Sequence, residues 1–299
     1  MSNTATVLAF DFGASSGRGI RAVYDGQNLT YEEIHRFENV PIEKDGHLCW
    51  DVETLLKEIH TAIQKAGTFD SLGFDTWGVD FGLLDADGHL LANPVHYRDA
   101  RTNGKLEQAA ACMPAEELYA HTGNQIMAIN TLFQLLALQE QEPELLQKAE
   151  QILFMPDLFA ALLGAEPVCE RSIASTSQML DPRTGRWSRE VLTAYGLKEN
   201  HFAPLVASGT VTGTLTTGAK IIAVAGHDTQ CASAAMPCAE EDAEHTAFLS
   251  CGTWSLLGTE LDTPILTADS CQSGLSNELG ANGKINYLKN IIGLWLIQE

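Results

Sequence analysis

Residues 9–20 read AFDFGASSGRGI, an apolar run that ends on Asp11 and is followed by three glycines and two serines gathered around Arg18. Thr6 to Asp11 has the continuous apolar character of a buried strand, and Gly19 to Tyr24 alternates well enough to be its partner. Glycine at the joint removes the Cβ that keeps a ligand off the backbone, and it lets successive amides turn into one concavity that holds anionic oxygens. Phosphate fits that description. An ordinary tight hairpin would also use one or two glycines, but it does not require Asp11, Ser15, Ser16 and Arg18 to converge on the tip. Because Gly13, Gly17 and Gly19 stand between two strands, the pattern is neither a Walker loop nor the GxGxxG turn that opens a helix. Asp11 beside a phosphate is repulsive unless a divalent cation such as magnesium sits between them, directly or through water.

Working outward, Leu29 to Phe37 predicts a third strand and hence an antiparallel meander. Val52, Leu55, Leu56, Ile59, Ile63 and Ala66 then follow helical spacing, with Asp51 as the cap and Gly67 as the stop. SLGFDTW is the next apolar strand. The order strand, strand, strand, helix, strand is that of ribonuclease H-like α/β domains. GVDFGLLDADGHLL predicts a strand, a turn at Asp85 to Gly88 and a return strand. Helices are expected at Lys105 to Cys112 and Thr131 to Gln139, and LLQKAEQILFMPDLFAALLG reads as two short helices broken at Pro156.

Downstream, IIAVAGHDTQCASAAM predicts a strand over Ile221 to Ala225, a turn and a small-residue helix. Asp228 falls at the strand-to-helix junction, where an N-cap role and a chemical role are compatible: a helix N-terminus favours the carboxylate anion, a proton acceptor. His227 taken alone reads as a structural histidine. TAFLSCGTWSLLGTE then gives a strand, a turn at Gly252 and Thr253, and a return strand. Two hairpins tipped with glycine and hydroxyl residues, with a strand-end aspartate between them, suggest phosphoryl transfer across a cleft and an internal duplication.

Composition limits the alternatives. The chain has 299 residues, 45% of them hydrophobic, and a formal net charge of −21, so it can bury a sizeable core and repels nucleic acid and anionic membranes. The opening MSNTATVLAF lacks the basic and long apolar regions of a signal peptide, and no run reaches membrane-spanning length, which predicts a cytoplasmic protein. Seven cysteines without a CxxC pair argue against a disulfide framework or a zinc site and predict buried free thiols.

The segments FDFGASSGR, WDV, DTWGVDFGLLD, HYRDARTNG, NTLFQL, MPDLF, GHDT, CGTWSLLGTE and LKNIIGLWL occur in this order along the whole chain. Together they resemble the motifs of the FGGY carbohydrate kinases, most closely the branch that acts on L-rhamnulose. The resemblance implies a two-domain fold of the actin and hexokinase type, with a sugar and ATP meeting between the domains. It also implies transfer of the γ-phosphate to the C1 hydroxyl of L-rhamnulose. On this resemblance Asp228 is the base, and Gly78, His227, Asp228, Thr229 and Asn290 contact the sugar. Ala14, Ser15, Ser16, Gly17, Arg18, Thr253 and Gln298 face the nucleotide, and Asp11 helps position magnesium through water. The implied division is 1–238 for the sugar-binding domain and 239–299 for the start of an incomplete nucleotide-binding domain. About 70 residues follow Asp228, fewer than the roughly 100–200 of a usual domain, and the chain stops at GLWLIQE inside what reads as an apolar helix. Two departures from the family pattern are Gly226 in place of serine and NELGANG in place of a double glycine. A kinase for L-fuculose or D-xylulose, or a sugar-binding remnant without turnover, are the competing readings. Trp77 and Trp254 read as core or as sugar-stacking rings, and Arg98, Asp99 and Arg101 read as an ion network as readily as a cleft lining.

Overall fold

The computed structural model describes residues 4–239, 242 and 245–294. β1 (Ala5–Phe12), β2 (Ser16–Tyr24) and β3 (Leu29–Glu38) form the expected antiparallel meander. Two short strands that the sequence reading lacks follow it, β4 (Ile42–Lys44) and β5 (His47–Cys49), paired antiparallel. Strands of three residues carry too little alternation to be read. α1 (Val52–Ala66) begins where Asp51 accepts the Thr54 amide at 3.2 Å, ends at Gly67, and buries Val52, Leu55, Ile59 and Ala62. It connects the meander to β6 (Ser71–Thr76), which runs parallel to β1 in register, so that Phe10 lies beside Phe74 with their rings stacked at 4.8 Å.

β7 (Phe81–Leu84) leads into the expected turn, where Asp85 accepts the amides of Asp87 and His89 at 2.9 and 2.8 Å. The return leg is a single bridge between Leu84 and Leu90 and not a strand. α2 (Lys105–Cys112), α3 (Ala115–Thr122), α4 (Thr131–Gln141) and α5 (Pro143–Lys148) follow. The segment expected to be two helices broken at Pro156 contains β8 (Gln151–Phe154), which is the true partner of β7, and then α6 (Met155–Leu162). Pro156 opens α6, because the first helical turn has no partner for the amide that proline lacks. A four-residue apolar run cannot be told from buried helix by pattern alone.

β9 (Cys169–Glu170), α7 (Arg171–Ala174), the ribbon of β10 (Leu180–Asp181) and β11 (Arg186–Trp187), α8 (Arg189–Ala194) and β12 (Leu205–Val206) lead back to the main sheet. There β13 (Thr210–Thr214) and β14 (Lys220–Ala223) complete the six-stranded order β13-β14-β6-β1-β2-β3, with β14 parallel to β6. This is the expected ribonuclease H-like α/β arrangement. α9 (Asp228–Ala234) follows β14 directly. β15 (Phe248–Cys251) and β16 (Trp254–Leu261) form the second hairpin, and after α10 (Ala268–Gln272) they join β17 (Ser276–Leu279) and β18 (Ile285–Ile292) in a four-stranded antiparallel sheet of order β15-β16-β18-β17. Most of the expected terminal helix, including Gln298, lies outside the described residues.

One large core joins Leu8, Phe10 and Phe12 to Phe74, Phe154 and Phe159, whereas the four-stranded sheet has a small cluster of Phe248, Leu256 and Leu288. All seven cysteines are free, but only Cys49 and Cys169 are buried, so the expectation of buried thiols holds for those two. Among the described residues no helix is long and apolar enough to cross a membrane.

Candidate active site

Strand order builds the site. β1 and β6 run parallel in register, which sets Asp11 beside Asp75 at their carboxyl ends. β14 pairs with β6 on the other side, and the chain leaving it bridges Thr76 to His227 before α9 begins at Asp228. Asp11, Asp75 and Asp228 therefore meet at one edge of the sheet, the edge where open α/β sheets bind their ligands. They line a cleft of about 590 Å³ whose opposite wall is the β15–β16 hairpin together with β17 and β18.

Charge at this edge is unevenly balanced. Asp11 is held by Arg18, whose Nη2 and Nε lie 2.6 and 2.8 Å from its Oδ2. Among the described residues Asp75 has no comparable partner, and burial followed by repulsion from Asp11 and Asp228 pushes its carboxyl well above the ordinary range. Burial likewise raises the Asp228 carboxyl, against the opposing pull of His227 and of the Thr229 amide and hydroxyl at 2.5 and 3.1 Å. This corrects the cap: His227 is the capping residue and Asp228 is the first residue of the seven-residue α9. The Asp228 carboxyl is raised from its usual value although its side chain is partly exposed. Burial alone would lower the His227 imidazole, but Glu278, then Asp228 and Asp75, bring it up to about 9.

Ala14, Ser15 and Arg18 of the first tip line the cleft. The tip is pinned by Gly13 N–H donating to Ser16 O at 2.9 Å and by Asn39, which bonds Gly13 O and Ser15 O at 2.9 and 3.0 Å. Ser16 and Gly17 do not line it. They open β2, where a Cβ on Gly17 would stand 2.3 Å from Phe37 Cζ, so that glycine serves ring packing. Thr253 faces the cleft from the second tip, where Gly252 N–H bonds Trp254 O at 2.8 Å. Gly78, His227, Thr229 and Asn290 line the remaining part, and Asn290 Nδ2 reaches Gln125 Oε1 at 3.3 Å. Gln298 is outside the described residues.

The sequence reading missed Asp75 and Glu278. Asp75 had a signal, because Phe10-Asp11 and Phe74-Asp75 are the same dipeptide at the ends of two strands that turn out to be in register. Glu278 had none: it comes from β17 and meets His227 only through the fold. Trp77 is both core and lining, 6% exposed, with Nε1 donating to Asp80 at 3.0 Å. Asp80 also accepts from Trp50 Nε1 at 2.6 Å and from Gln134 Nε2 at 2.9 Å, and burial, partly offset by those bonds, raises its carboxyl to about 6. Trp254 lines the cleft, and the Arg98 guanidinium lies 6.0 Å from its ring centre. Asp99 and Arg101 do not line this cleft: Asp99 accepts the Leu48 amide at 2.8 Å and Arg101 donates to Gln134 at 2.7 Å. Gly226 is forced by packing, since a Cβ there would meet Pro156 Cγ at 2.8 Å.

Asp11 and Asp75 offer hard oxygen donors of the kind a divalent cation takes, and repulsion from Asp11 and Asp228 that raises the Asp75 carboxyl is what such a cation would relieve. The grouping of three ligating side chains close enough for one ion, among the described residues, is Asp85, Asp87 and His89 on an exposed turn.

The model for the FGGY family of carbohydrate kinases, N-terminal domain, matches residues 6–234. A rhamnulokinase of Bacteroides thetaiotaomicron is 41% identical over 305 residues, covering 98% of this chain and 62% of its own length. A rhamnulokinase of Enterococcus faecalis is 40% identical over 309 residues, covering 98% and 61%. The chain thus spans about three fifths of the length of these curated relatives. Among solved structures, the ligand-bound xylulose kinase of Lactobacillus acidophilus superposes with a TM-score of 0.78 at 18% identity, covering 95% of this chain and 59% of that one. The Plasmodium falciparum glycerol kinase with ADP does so with a TM-score of 0.75 at 15% identity, covering 98% and 63%. With a family match over most of its length on a fold that these kinases share, the chain belongs to the FGGY family of carbohydrate kinases.

Proposed function

We propose that the chain is part of an ATP-dependent kinase that phosphorylates the C1 hydroxyl of L-rhamnulose, with 1–238 as the sugar-binding unit and 239–299 as the beginning of the nucleotide-binding one. The observation that supports this most directly is convergence, since Asp228 and the tips at 13–18 and 252–253 open on one cleft of about 590 Å³. A space of that size takes a sugar and the end of a triphosphate. Forty-per-cent identity to rhamnulokinases favours L-rhamnulose over L-fuculose or D-xylulose. A cytoplasmic location goes with this reading.

In the reaction Asp228 accepts the proton of the C1 hydroxyl while that oxygen forms its bond to the γ-phosphorus and the bond to the bridging oxygen of ADP breaks. Burial that raises the carboxyl makes Asp228 a stronger proton acceptor once it is ionised. Gly78 lets the sugar approach the backbone, and His227, Thr229 and Asn290 orient it. Ala14, Ser15, Arg18 and Thr253 meet the phosphate oxygens, with Ser16, Gly17 and Gln298 outside that contact set or outside the described residues. Asp11 and Asp75 would hold magnesium through water, and the ion, when bound, neutralises charge on the phosphates.

The test is a coupled ADP-release assay on the 299-residue chain over L-rhamnulose, L-fuculose and D-xylulose, paired with calorimetric sugar binding. Turnover greatest with L-rhamnulose, and lowered by about 10²–10⁴ in Asp228→Asn, is the expected result. Saturable sugar binding without ADP release assigns this chain the binding part alone. Neither binding nor turnover with any of the three sugars overturns the reading.

A further inference from the structure

We propose that Glu278 is a positioning residue for Asp228, acting through His227 and tying the four-stranded sheet to the base. The inference rests on the reading of Asp228 as that base. Glu278 lies on β17 and is 4% exposed. Its Oε2 accepts from His227 Nδ1 at 2.8 Å and from Gln230 Nε2 at 2.8 Å. A carboxyl group so deeply buried needs donors to satisfy it, and here both come from the start of α9.

The backbone on either side of Glu278 is anchored. The Asn277 amide donates to Gly123 O at 2.8 Å and the Leu279 amide donates to Ser175 Oγ at 2.9 Å, so the carboxylate cannot drift along its strand. With Nδ1 committed to Glu278, the ring has one orientation. Nε2 then stands 3.4 Å from Asp228 Oδ1, and at the same distance from the point where a Cβ on Gly78 would lie. The imidazole edge therefore faces the corner of the cleft shared by the base and the open backbone at Gly78.

The charged groups that face the ring are Glu278 from β17, Asp228 from α9 and Asp75 from β6, all carboxylates. With three acids around it the ring carries a proton on both nitrogens. Nε2–H then lies within ion-pair range of Asp228 Oδ1, where its charge offsets that of the carboxylate. Glu278 keeps the Nδ1 proton in place because its oxygen can only accept there, and its charge favours the second proton on Nε2. A residue on one sheet thus governs the base carried by the other, with no contact of its own to the reacting atoms.

The experiment is ¹⁵N-imidazole NMR at pH 7 together with calorimetric titration of L-rhamnulose, on wild type, Glu278→Gln and Glu278→Asp, with His227→Gln used to assign the ring signals. Wild type should show protons on both His227 nitrogens. Glu278→Gln keeps an acceptor of the same shape but removes the charge, so the ring should become neutral, sugar affinity should fall by about tenfold, and the melting temperature at pH 7 should fall with loss of the same charge pair while the chain still folds. Glu278→Asp retains the charge and should recover part of the cationic ring signal. A neutral His227 in the wild type overturns the proposal without recourse to any variant, and so does Glu278→Gln with unaltered ring state and affinity. If wild type binds no ketose while its ring signals are as expected, the functional reading fails and the clamp stands.

Discussion

The two glycine-tipped hairpins share a local pattern and differ in what holds them. In the first, Phe10 and Phe12 are fully buried, and Phe12 stacks on Phe159 at 4.8 Å and meets Phe37 edge-on at 5.2 Å. In the second, Leu249 and Leu257 pair across β15 and β16 yet remain 58% and 47% exposed, Phe248, Leu256 and Leu288 form a small separate cluster, and the far end of the sheet reaches the main core through Leu261, Leu279 and Ile285. Equal turn chemistry does not imply equal anchoring. The first tip is set by the main core, whereas the second is set by its own ladder and by a few bonds across the cleft.

The largest expected effect follows from that contrast. Phe12→Ala should cost about 3–5 kcal/mol in denaturant unfolding, because four rings lose a partner they cannot replace. Phe248→Ala should cost roughly 1–2 kcal/mol, since its cluster is thin and half open. Equal losses at both positions would break the comparison.

Next in size is the pair that joins the two sheets. His227 rises from 6.5 to about 9 in the folded chain, so its stabilisation is complete below pH 6.5 and is lost as pH rises through 9. The difference corresponds to about 3 kcal/mol, measurable as the slope of unfolding free energy against pH, and Glu278→Gln should flatten that slope. A slope that is unchanged in the variant would detach the second sheet from this account.

The glycines of the two tips give a finer test. Gly17→Ala should lose about 1–3 kcal/mol, because the new methyl would sit 2.3 Å from Phe37 unless the ring moves. Gly252→Ala meets nothing nearer than Trp254 O at 3.5 Å and should change thermal stability by less than about 0.5 kcal/mol. If the second substitution proves as damaging as the first, the second tip is more constrained than its exposure indicates.

The smallest effect on stability is expected at the open face of the second sheet. Leu257→Lys should shift stability by less than about 0.5 kcal/mol while reducing self-association in light scattering, because Leu249, Leu257 and Ile291 expose apolar surface. Unaltered association would mean that this surface is not what draws molecules together.

How much was legible depended on the range of the interaction. The meander, α1 and β6 were readable because each carries its own periodicity and its own stop signal, and α2 was read to the residue. β4, β5 and β8 were not, because three or four residues fit either period. Pro156 was misread for a related reason, since proline ends one helix as readily as it begins another. At the site, Asp11, Gly78 and Asp228 stood in motifs with recognisable chemistry, whereas Glu278 announced itself by nothing in its neighbourhood of sequence.

Residue order alone settled where strands turn, which tips can cradle an anion and which carboxylate stands at a strand-to-helix junction, because those properties belong to a few neighbouring residues. Folding decided which acids share one edge, how far solvent is withdrawn from Asp75 and Asp228, and that a glutamate some fifty positions away clamps His227 at 2.8 Å. Charge interactions and desolvation act through space, and only the packed chain brings those groups within reach of one another.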